Sequence, residues 1–156
     1  MKLSIRKGFS FGLTSGIITT LGLLVGLYSN THSKTVIISG ILVIAIADAM
    51  SDALGIHVSQ ESESSNTEKE VWESTLATFL SKFFIALSFV LPILFFNLTV
   101  AVIVCVIWGI ILLVIFNYFL AKRKNISPSG VIFEHLFIAM LVMMVTYFVG
   151  KWAERF

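Results

Sequence analysis

Charge is what this sequence has least of. Only 13% of its 156 residues are Asp, Glu, Lys or Arg, against about 25% in a soluble domain. With 57% hydrophobic residues and a mean hydropathy of +0.96, the chain is too apolar to fold in water, so its solvent is lipid. Cysteine occurs once, as Cys105 within a long apolar stretch, which excludes an intrachain disulfide and a thiolate metal cluster. Also missing are a phosphate-binding glycine loop, zinc-hydrolase spacing and a nucleophile elbow. Neither enzymatic activity, nor a cofactor, nor a nucleic-acid partner is therefore expected. Hydrophilic sequence is scarce as well, which leaves no room for a separate extramembrane domain.

What the chain does have is long apolar runs. Residues 8–28 form the first; it is longer than a signal-peptide core and no small-x-small cleavage site follows it, so it reads as a spanning helix. Residues 35–57 form the second. A polar connection over 58–74 follows, with Glu61, Glu63, Glu68, Glu70 and Glu73 against Lys69. From Thr75 to Ala121 the sequence is again apolar, and as one helix it would be about 70 Å long against a hydrocarbon core of about 30 Å. It must fold back, and Pro92 with the polar notch at Asn97 and Thr99 marks the reversal. This gives spans at 75–96 and 98–121, and a fifth at 131–150 after a basic loop containing Lys122, Arg123 and Lys124. The expected fold is a single all-α transmembrane domain over residues 1–156 with five spanning helices.

Lysine and arginine stay on the cytoplasmic side of short loops. A cytoplasmic N-terminus gathers Lys2, Arg6, Lys7, Lys69 and the basic loop inside, with Lys82 near that face, and leaves Lys34, Lys151 and Arg155 outside. The expected setting is multi-pass insertion in a bilayer, the plasma membrane in a prokaryotic cell.

Two aspartates near the cytoplasmic end of the second span are the leading functional candidates. Asp48 and Asp52 are four residues apart, so their carboxylates share one helix face. An ionised carboxylate at mid-membrane costs about 3 kcal/mol or more, and two neighbours also repel. A bound cation or a proton compensates, and alternation between them is the chemistry of a cation/proton exchanger. The competing reading is that the pair reaches interfacial water or pairs with Lys82. Small neighbours (Ala45, Ala47, Ala49, Ser51, Ala53 and Gly55) let other helices close around it. Met50 or His57 joining the oxygens would favour a softer transition ion. Glu61 and the other acids of the connection could gather cations by their field, and Glu73 could face the aspartates from the next helix. Glu134 is expected either to bridge to the basic loop or to support the site from behind. Met140, Met143 and Met144, at helical spacing, read as packing residues.

The first span carries small-xxx-small rows, Gly8/Gly12/Gly16 and Gly22/Gly26, which let helix backbones approach closely. Spacing leaves open whether the partner is a helix of the same chain or of a second copy.

Two stretches resemble a known family. Residues 11–26, beginning Phe11-Gly12-Leu13-Thr14-Ser15-Gly16, resemble the first helix of the vacuolar iron transporters, and residues 47–63, beginning Ala47-Asp48-Ala49-Met50-Ser51-Asp52, resemble the end of their second. The resemblance implies the five-helix layout, a homodimer joined through helix 1 at Gly12, Gly16, Gly22 and Gly26, and export of ferrous or manganous ions from the cytosol in exchange for protons. Carried over by position, the family's first-helix acid falls on Ser15, its second-helix methionine on Asp52, its following glutamate on Ile56 and its aromatic on His57. The family's long acidic metal-collecting domain is reduced to the short connection. The expected cargo is thus a divalent cation held by Asp48 and Asp52, assisted by Ser15, Met50 and His57 and fed by Glu61 and Glu73. The alternative is a non-transporting interaction protein on the same fold that binds a partner through its polar cytoplasmic face.

Overall fold

The structure, a computed structural model, describes residues 2–156. Five helical stretches are long and apolar enough to cross a membrane. They are α1 (Leu3–Thr31), α2 (Lys34–Glu61), a third span made of α3 (Glu68–Ser88) and the short α4 (Val90–Phe95), then α5 (Leu98–Arg123) and α6 (Pro128–Ala153). No strand occurs among the described residues.

The spans are those expected, but their ends lie further out. α2 runs on to Glu61 and α3 begins at Glu68, so the connection expected over 58–74 shrinks to 62–67. A capping box sets the start of α3. Thr67 Oγ1 accepts from the Glu70 N–H at 3.4 Å, and the Glu70 carboxylate accepts from the Thr67 N–H at 2.9 Å, which satisfies two helix-end donors at once. Glu68 and Glu70 in that first turn also face the positive end of the helix dipole. Because α2 is longer than expected, Asp48 stands at its middle rather than near its cytoplasmic end.

Pro92 interrupts the third span without reversing it. Proline has no N–H for the carbonyl four residues back, and the helix breaks after Ser88 before resuming at Val90. The buried Cys105 thiol donates to the Phe89 carbonyl at 3.4 Å beside this break. The reversal comes at Asn97, whose side chain caps α5 by accepting from the Val100 N–H at 3.1 Å.

α1 is the central helix, and its Ile17, Leu21 and Leu24 are fully buried. Its glycine rows are used inside the chain. A Cβ at Gly8 or Gly12 would overlap the Ser74 or Thr78 carbonyl oxygen of α3, and Gly16 lies against Lys82. Gly22 and Gly26 meet Val142 and Thr146 of α6. The glycines expected to face a second copy therefore face α3 and α6 of their own chain. α6 is the least enclosed span; only Ala139 and Gly150 are buried.

Candidate functional site

The site begins with the close approach of α1 and α3. Thr78 Oγ1 donates to the Gly8 carbonyl at 3.2 Å, and the missing side chain at Gly16 leaves 3.3 Å between a Cβ built there and the Lys82 Cα. The Lys82 side chain is carried across this seam toward α2 and is only 3% exposed. Its ammonium lies 2.5 Å from Asp48 Oδ2 and donates both to Asp52 Oδ2 and to Ser15 Oγ, the latter at 3.0 Å. Ser15 Oγ in turn donates to Asp52 Oδ2 at 2.6 Å. The Lys82 ammonium is the polar partner of Asp48 Oδ2 among the described residues. One ammonium, two carboxylates and one hydroxyl from three helices thus form a closed cluster.

Depth gives the cluster its weight. At 1.5 Å per residue, Asp52 and Asp48 lie about 13 and 20 Å from the Glu61 end of α2, and Lys82 about 21 Å from the start of α3. That is the interior of a hydrocarbon core about 30 Å thick. Ionisable groups at this depth are costly and persist when they are paired. The pairing with Lys82 that competed with cation binding as a reading of the sequence is the arrangement observed. Formally, the cluster carries one negative charge in excess when all three groups are ionised. Asp48 and Asp52 keep 31% and 22% exposure, so it opens to the surface of the bundle on the α2 side.

The remaining candidates lie elsewhere. Met50 points outward into a groove with Trp72, Thr75 and Phe79. His57 Nδ1 is hydrogen-bonded to Thr75 Oγ1 at 2.9 Å, and its ring packs edge-on against Trp72. Glu73 is bound by Lys2 Nζ at 2.6 Å and Ser4 Oγ at 2.8 Å. Glu61 and Glu134 are exposed, and neither forms an ion pair among the described residues. The structure thus brings Asp48, Asp52 and Ser15 together around Lys82 and leaves Met50, His57, Glu61 and Glu73 outside. Among the described residues, no group of three or more His, Cys, Asp or Glu is gathered as a metal site.

Five apolar spans around a buried ionic cluster define a multi-pass integral membrane protein. The sequence model of the VIT family matches residues 7–75, which take in most of α1, all of α2 and the first turns of α3, and on this stretch the chain is similar to that family. It is a family of transporters rather than of enzymes. No curated protein and no solved structure matches the chain.

Proposed function

We propose that the chain transports a divalent transition-metal ion, iron or manganese, by proton-coupled export from the cytosol, with Asp48 and Asp52 shared between cation and protons. The observation that carries this reading is Lys82, whose ammonium sits between the two carboxylates in mid-membrane. An ammonium there occupies the electrostatic position of a transported cation. A divalent ion on both carboxylates neutralises them, and with a charged Lys82 still present the cluster would carry one positive charge. Loss of one proton from the cluster removes that excess, which ties cation arrival to proton departure. Ser15, where the resemblance expects an acid, supplies a neutral oxygen, so the two aspartates of α2 hold all the negative charge.

The test is uptake of manganous and ferrous ions by proteoliposomes under an imposed pH gradient, comparing the wild type with Asp48→Asn/Asp52→Asn. Gradient-driven flux is expected in the wild type and should disappear in the variant while assembly persists. Absence of flux for both ions in correctly inserted wild-type protein overturns the reading.

A second reading draws on the same ammonium. Lys82 satisfies both aspartates without any metal, as an internal counter-ion would in a membrane interaction protein that transports nothing. Under it, substitutions at Glu61 and Glu73 impair function more than the Asp48 and Asp52 changes do, and the flux assay is silent.

A further inference from the structure

We propose that a cavity between the cytoplasmic ends of α1 and α5 is a binding site for one anionic phospholipid, its phosphate held by Arg6 and Arg123. The cavity measures about 320 Å³. Arg6 and Arg123 line it together with Ser10, and its other walls are apolar, with Phe9, Phe116 and Phe119 foremost. The Phe9 and Phe116 rings meet edge-on at 6.2 Å, which closes the wall between the two helices. Neither guanidinium makes an ion pair or hydrogen bond to a carboxylate among the described residues. By contrast, Lys2 and Lys7 on the same end of α1 are paired with Glu73 and Glu63.

Two arginines lining one cavity suit a phosphate, since each guanidinium presents a planar fork of donors that matches its oxygens. The positive-inside rule puts this end of the bundle in the cytoplasmic leaflet, where anionic lipids are concentrated. Charge alone would equally attract a soluble phosphate. The apolar walls decide for a lipid, because Phe9, Phe116, Phe119 and Leu120 offer an acyl chain a surface that a free phosphate would leave uncovered.

Native mass spectrometry of the full chain, released from detergent with dioleoyl phosphatidylglycerol or dioleoyl phosphatidylcholine, tests the site. The wild type is expected to retain one phosphatidylglycerol in preference to phosphatidylcholine. Arg6→Gln/Arg123→Gln should reduce that preference by about tenfold or more, with each single variant between and Lys124→Gln unchanged. Phe116→Ala should weaken retention of the lipid, and excess free glycerol phosphate should not displace it. Equal retention of the two lipids by the wild type, an undiminished preference in the double variant, or displacement by glycerol phosphate overturns the proposal. Both arginines are exposed, so the double variant is expected to fold; should it not, the single variants report a partial loss of the preference, and an undiminished preference in both overturns the proposal.

Discussion

Lys82 is buried where an unpaired lysine would be expelled, and its stability and that of the two aspartates are one quantity. Removing one partner of a buried ionic pair leaves the other uncompensated, at a cost of about 3–5 kcal/mol. Lys82→Met should therefore destabilise the protein by about that much, and adding Asp48→Asn and Asp52→Asn to it should recover most of the loss. Thermal unfolding in a mild detergent measures both, and failure of the triple variant to recover would show that the cluster is not a self-contained electrostatic unit. The aspartate pair was legible in the sequence because a four-residue interval fixes a shared helix face. So was the charge of Lys82, alone in an apolar run between Phe79 and Phe84. Its pairing with the aspartates was legible as one of two readings, and the choice between them was not, because it depends on how deep each helix sits, and hydropathy gives depth only to within a turn or two. Met50 illustrates the reverse error. Its chemistry suited a soft cation, but two residues along a helix from Asp48 and Asp52 point to another side.

Between elements, the glycine rows of α1 show how a sequence pattern can announce close approach and leave its partner open. Close approach was expected and is observed, but toward α3 and α6. A helix apolar all round carries no periodicity to say which face meets which neighbour, and small residues permit contact without selecting it. Gly12 and Gly55 make a paired test. A Cβ at Gly12 would overlap the Thr78 carbonyl, whereas one at Gly55 meets nothing within 4 Å. Gly12→Ala should lower stability by roughly 1–3 kcal/mol through overpacking, while Gly55→Ala should leave it unchanged or raise it by up to about 1 kcal/mol through helix propensity. Equal tolerance at both positions would mean that the α1/α3 seam is looser than described. Helix ends were the other shortfall, although Thr67 and Glu70 are three residues apart and spell out the capping box; the acidity of the stretch drew attention to its charge instead of its start signal.

At the scale of the molecule, the glycine rows that the resemblance would place between two copies lie against α3 and α6 of the same chain, while Phe9 and Phe11 of the same helix stay exposed. The five spans were legible throughout because length and hydropathy fix them, whereas contact between copies leaves no comparable mark. The seam of α1 and α3 has one further consequence, in the order in which the chain is made. Ser15, Asp48 and Asp52 all precede Lys82, so by the time the ribosome adds that lysine every group that will neutralise or hydrogen-bond it has already been synthesised, and the most expensive charge in the protein is never the first of its cluster to reach the bilayer.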